Sequence, residues 1–154
     1  MIQIDTGAIA GVRTQECKAF ADDGGTMGWD VYRASDTDWF VGYGDLLLMT
    51  LKQGAVRPFH YHKQGIDTMA VLAGSARIVL YDMREDSPTK GKVQEILIGV
   101  DGPSISFLQV PPLVAHGFQG ISEQAVLVDL ASMEEQSTTD FFFNDPGSVP
   151  YEFK

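Results

Sequence analysis

"DTMAVLAGSARIVLYDMR", residues 67–84, alternates apolar and polar side chains through most of its length. That alternation is the mark of a strand with one buried face, and no apolar recurrence at helical spacing competes with it. Gly74 near its middle predicts a bend or break, so the stretch reads as two strands closely joined. The same pattern continues on both sides. "DLLLMTLKQ" (45–53), "KVQEILIGV" (92–100), "SISFLQV" (104–110) and "QAVLVDLAS" (124–132) read as strands. So do "WDVYR" (29–33) and "DWFVGY" (38–43). Turn signals separate them: "ASDTD", "HKQG", "REDSPTKG", "VDGPS" and "QGIS". Only "MEEQSTTDFF" (133–142) suggests a turn of helix. Short strands punctuated by 16 glycines and 7 prolines predict an all-β protein, most simply a jelly roll. With no linker in view, residues 1–154 form a single domain, and residues 1–20 are a possible arm for pairing with a second subunit.

The bulk composition narrows the function. A chain of 154 residues suffices for one core without staples, and 44% hydrophobic with 21% charged residues is ordinary for a globule. A net charge of −10 disfavours nucleic acid and acidic membrane surfaces as partners. The single cysteine, Cys17, excludes an internal disulfide and fits a reducing compartment. No secretory signal and no membrane-spanning run is expected. A cytoplasmic protein acting on a small molecule is therefore the expectation.

Histidine is the informative residue. His60 and His62 in "VRPFHYH" sit two apart, so a strand projects both to one face with Tyr61 on the other. Asp67 follows after a tight turn. His116, in "VPPLVAHGF", is the third and last histidine of the chain. Imidazoles with a carboxylate suit a divalent transition metal (Fe, Mn, Ni, Co or Zn) and do not suit calcium or magnesium. The same residues also fit a hydrogen-bonded histidine pair lining a polar pocket. Asp67 is either a ligand or an orienter of a ligating histidine. Arg57 is suited to holding a phosphate or carboxylate, or to a surface ion pair.

Gly54, His60, His62, Asp67 and Gly74 fall at the intervals of the first cupin motif, which this chain resembles. Pro111 and His116 resemble the second, with Leu113 where glycine is usual and Gly120 where an asparagine often follows. A narrower resemblance runs through "DDGGTMGWDVYR", "VRPFHYH", "YDMREDSPTKGK", "VPPLVAHGF" and "NDP". These are similar to dTDP-4-dehydrorhamnose 3,5-epimerases. The resemblance implies a double-stranded β-helix, the cupin jelly roll, working as a homodimer on nucleotide-linked 4-keto sugars in carbohydrate biosynthesis. It also implies a phosphate-binding role for Arg57, a base at His60 and the second family histidine at His116.

The departures from that family carry chemistry of their own. The epimerases are metal-free, with glutamine in place of His62 and lysine in place of Asp67. Their catalytic tyrosine falls on Asp129, and the aspartate that partners their histidine is expected past Lys154. Trading an amide for an imidazole and a cation for a carboxylate turns a sugar pocket into a metal cup, with His60, His62, Asp67 and His116 as candidate ligands. A metal there would act as a Lewis acid on a carbonyl oxygen, leaving Asp67 or Asp129 as the proton-transfer group. Two other classes follow from the same residues: an Fe(II) dioxygenase, and a sugar-binding cupin without turnover.

Overall fold

The computed structural model describes residues 3–4, 8–25, 27–29, 40–99, 104–134 and 138–154. Two six-stranded sheets face each other across one core. The first contains β1 (Gln3–Ile4), β5 (Val56–His62), β7 (Ser75–Asp82), β8 (Val93–Gly99), β10 (Val114–Gly120) and β12 (Phe141–Phe143), in the order β1-β8-β7-β10-β5-β12. The second contains β2 (Arg13–Ala21), β3 (Met27–Trp29), β4 (Asp45–Lys52), β6 (Asp67–Ala73), β9 (Ser104–Val110) and β11 (Gln124–Ala131), in the order β3-β2-β9-β6-β11-β4. All pairings are antiparallel, and the chain passes repeatedly from one sheet to the other. This is the expected jelly roll. Among the described residues no helix is long and apolar enough to cross a membrane.

Period-two alternation builds the core. Met69 and Val71 of β6, Leu108 of β9 and Leu127 of β11 meet Ile78, Leu80, Ile96 and Phe118 of the facing sheet, all fully buried. Each such side chain removed from water contributes about 1.5–3 kcal/mol. Gly74 ends β6 with φ +71°, and a Cβ there would lie 2.1 Å from the Gln124 carbonyl oxygen. Only glycine fits this corner, so the long alternating stretch becomes two strands in different sheets.

Four stretches need separate comment. Of "DWFVGY", expected as a strand, residues 38–39 lie outside the described residues and 40–43 are irregular, because Gly42 has φ +114° and breaks the extended run. Of "WDVYR", Trp29 ends β3 and residues 30–33 lie outside the described residues. In "MEEQSTTDFF", residues 138–140 form a turn leading into β12, not a helix, and residues 135–137 lie outside the described set. The N-terminal stretch contains β2, which pairs with β9 of its own chain from Arg13↔Gln109 to Lys18↔Ser104.

The loop "REDSPTKG" is organised by one buried carboxylate. Asp82 Oδ1 accepts from Arg84 Nε (2.8 Å) and the Arg84 backbone N–H (3.1 Å). Its Oδ2 accepts from Arg84 Nη2 (2.8 Å), Ser87 Oγ (2.6 Å) and Thr89 Oγ1 (2.6 Å). The loop then grips the N-terminal segment: Arg84 Nη2 donates to the Ala10 carbonyl (2.6 Å), and Thr89 Oγ1 accepts the Ala10 N–H (2.9 Å). Burial alone would raise the Asp82 pKa, but these donors outweigh it and hold the carboxyl below the usual carboxylate range.

The end of the chain straps the outer face of the first sheet. Phe59 stacks on Phe153 with ring centroids 5.4 Å apart, and Tyr151 donates to Glu95 Oε2 (2.7 Å). Gln119 Nε2 donates to the Lys154 carbonyl (2.7 Å). Gly117 completes the fit, since a Cβ there would come within 3.2 Å of the Phe153 ring.

Leu113 occupies a left-handed conformation, φ 59°, at the position where the cupin motif usually has glycine. Its N–H donates to the His62 carbonyl (2.8 Å) and its carbonyl accepts the Met83 N–H (3.2 Å), which locks the turn between β9 and β10. A branched side chain there is strained by roughly 1–2 kcal/mol, partly offset by the greater entropy that glycine loses on folding. Leu113→Gly should therefore raise stability by about 0.5–1 kcal/mol in urea unfolding with an unchanged m-value. Asp82→Asn should lower stability at neutral pH by about 2–4 kcal/mol. The Asp82 contribution is present above the unfolded carboxylate pKa and is lost as pH falls through the depressed folded value. The gap between wild type and Asp82→Asn should accordingly narrow below about pH 4.

Candidate active site

The pairing of β5 with β10 places the site. His60 lies directly opposite His116, and directly opposed residues in an antiparallel pair point to the same side. Past that pair the register slips: Phe118 faces Arg57, so Pro58 and Phe59 together oppose Gly117. Plain alternation would send Arg57 away from His60. The bulge turns it to the face that carries Phe118, inside the barrel.

The facing sheet contributes acids. Asp67 opposes Ala131 at the start of β6, and Asp129 opposes Met69 two residues earlier on β11. Both are 1% exposed and share the inward face of their sheet. Asp67 Oδ2 lies 3.3 Å from His62 Nε2 and 3.0 Å from His116 Nε2. These four polar positions (both Nε2 atoms and both Asp67 oxygens) are buried. They converge on common space.

The other nitrogen of each ring is anchored. His60 Nδ1 lies 2.9 Å from the Pro58 carbonyl, His116 Nδ1 lies 3.1 Å from the Val114 carbonyl, and His62 Nδ1 lies 2.8 Å from Asp140 Oδ2. Carbonyls and carboxylates only accept, so each Nδ1 carries the hydrogen and presents Nε2 inward. Aromatic rings pack around the histidines: Phe141 stands 5.2 Å from His60 and 5.4 Å from His62, and Phe118 lies 5.6 Å from His60.

The histidines differ in charge. Burial and the neighbouring His116 drive the His60 pKa down to about 2, so His60 is neutral. Burial would also lower His62, but the carboxylates of Asp67 and Asp140 outweigh it and raise His62 to about 9. Asp67 shows the opposite balance: burial raises its pKa, and His116 and His62 together pull it below the usual carboxylate range.

The structure thus gathers His62, Asp67 and His116, whose donor atoms lie within 4.8 Å of one another. His60, also expected as a ligand, supplies no atom to that group among the described residues; it packs edge-on against His116 with centroids 4.3 Å apart. Two nitrogens and a carboxylate, buried and converging, could hold a divalent transition metal. Arg57 and Asp129 face the same interior. Asp140 and Phe141 were not singled out from the sequence. Asp140 reaches His62 only because Phe141 of β12 pairs with His62 of β5, a contact that no spacing motif announces.

A sequence profile of the dTDP-4-dehydrorhamnose 3,5-epimerase family matches residues 6–148. A spore coat polysaccharide biosynthesis protein of Bacillus subtilis is 32% identical over 120 residues, 78% of this chain and 77% of that protein. A probable low-salt glycan biosynthesis epimerase of Haloferax volcanii is 30% identical over 102 residues, 64% of this chain and 61% of its own length. The fold matches that of a dTDP sugar isomerase from Desulfovibrio desulfuricans with TM-score 0.82 and 22% identity, covering 94% of this chain and 91% of that one. By the extent of the profile match and the shared jelly roll, the chain belongs to the dTDP-4-dehydrorhamnose 3,5-epimerase family.

Proposed function

We propose that this chain is a sugar epimerase acting on a nucleotide-linked keto sugar, with His62, Asp67 and His116 holding a divalent transition metal in the pocket. The observation that carries the metal is the convergence of two Nε2 atoms and a carboxylate from opposite sheets, buried and within 4.8 Å of one another. A bound metal would supply Lewis acidity to a substrate carbonyl, the service performed in other family members by the group that Asp129 replaces. Arg57, turned inward by the bulge, binds the phosphates of the nucleotide, as the family resemblance implies. His60 keeps a lone pair on Nε2, but a pKa near 2 makes it a poor proton acceptor. The proton next to the carbonyl is therefore taken by Asp129, the inward carboxylate outside the proposed ligand group. Family membership favours this reading over the dioxygenase and the non-catalytic receptor. A cytoplasmic homodimer belongs to the same proposal.

The test is proton exchange. A dTDP-linked 4-keto-6-deoxy sugar incubated with the protein in deuterated water should gain deuterium beside the carbonyl when Fe(II), Mn(II), Ni(II), Co(II) or Zn(II) is supplied. Chelation should abolish the exchange, and so should His62→Gln, which retains the fold while losing metal uptake. Exchange that survives both treatments would refute the metal. A second expectation concerns pH. His62 must shed its proton to ligate, and its pKa is raised to about 9. Apparent metal affinity should then climb by up to about tenfold per pH unit between neutrality and pH 9, read by competition with a chromogenic chelator. A flat profile would place His62 outside the ligand set.

A further inference from the structure

The turn between β5 and β6 is held by a residue from near the far end of the chain. Asp140 is 1% exposed at the entry to β12. Its Oδ2 accepts from His62 Nδ1 at 2.8 Å, and its Oδ1 accepts the backbone N–H groups of Gln64 (2.6 Å) and Gly65 (3.2 Å). The Asp140 carbonyl accepts the Lys63 N–H at 3.0 Å. A Cβ on residue 65 would lie 2.7 Å from Asp140 Oδ2 and 3.2 Å from His62 Nδ1, so the close approach requires Gly65.

This anchoring differs from that of the other two rings. His60 and His116 are each fixed by a carbonyl two residues back on their own strand, whereas His62 is fixed by a distant carboxylate. An imidazole with no partner on Nδ1 has two ring orientations near in energy, because the torsion that swings it is broad and roughly two-fold. A carboxylate that can only accept removes that choice and also makes the ring a stronger donor at Nε2.

We infer that Asp140 is the positioning residue of His62: it fixes the hydrogen on Nδ1 and so turns Nε2 toward Asp67 and His116. Its consequence for metal affinity rests on the function proposed above, while its hold on the ring exists without any metal. Two measurements separate these. In the metal-free protein, nitrogen-15 NMR of the imidazoles should show a hydrogen-bonded Nδ1–H on His62, and Asp140→Asn should abolish or move that signal. In the same proteins, Co(II) titration followed by visible absorption should show affinity falling by about 10- to 100-fold in Asp140→Asn with stoichiometry retained at saturation.

A control isolates the effect from mere stiffening of the turn. Ser132 Oγ accepts the Ile66 N–H at 2.8 Å and braces the same turn without touching His62. Ser132→Ala should leave both readouts in place. Gly65→Ala, which wedges the carboxylate off the ring, should reproduce the change in the His62 signal and serves if Asp140→Asn does not fold. An unchanged His62 signal in a folded Asp140→Asn or Gly65→Ala protein overturns the inference, as does an equal loss in Ser132→Ala. If wild type shows the signal but takes up no Co(II), the metal reading fails and the positioning of His62 stands.

Discussion

One carboxylate ties the two sheets together at the functional end of the barrel. Asp67 rises from β6 into the gap between His62 and His116, which belong to the opposite sheet. Each sheet alone would leave a buried, incompletely solvated polar group, and that is costly unless a partner of opposite character meets it. The arrangement resolves only when the sheets face each other in one register. The polar cluster thereby constrains how the apolar core below it is stacked, and the core in turn excludes the water that would weaken the cluster.

The pocket depends on two irregularities in otherwise regular strands. The bulge opposite Gly117 brings Arg57 into the barrel beside His60, setting a guanidinium near the acids and imidazoles. The left-handed Leu113 fixes the approach to β10 through the His62 carbonyl and so couples the strand of His116 to the strand of His62. Both features lie next to the chemistry. Strain and bulges are commonly retained where they aim a side chain that regular geometry would misdirect.

Much of the fold was legible because alternation is a local signal. The stretch 67–84 and the strands near residues 45, 92, 104 and 124 declare their inward faces within a few residues, and Gly74 marks its own corner. β2 is less visible, since Thr14, Gln15 and Glu16 carry no apolar rhythm and the strand is defined by its partner β9. The stretch 40–43 misled because its apolar residues surround a glycine whose left-handed backbone no hydropathy pattern reveals. The same division holds at the site. His60, His62 and Asp67 are adjacent in sequence, and His116 completes a spaced motif. Asp140 meets His62 only through the β12–β5 pairing, and the grouping of His62 and His116 with Asp67, without His60, is a three-dimensional distance that residue spacing does not encode.

Gly117 gives the barrel wall a thickness of one peptide unit between His60 and His116 on the inside and Phe153 on the outside. Without a covering there, solvent would approach within a single backbone layer of the imidazoles. Phe59, Tyr151 and Phe153 form that covering, so the permittivity felt by the pocket is set partly from behind, by aromatic rings that never enter it. Residues 151–153 thus act as electrical insulation for the histidines on the other side of the sheet.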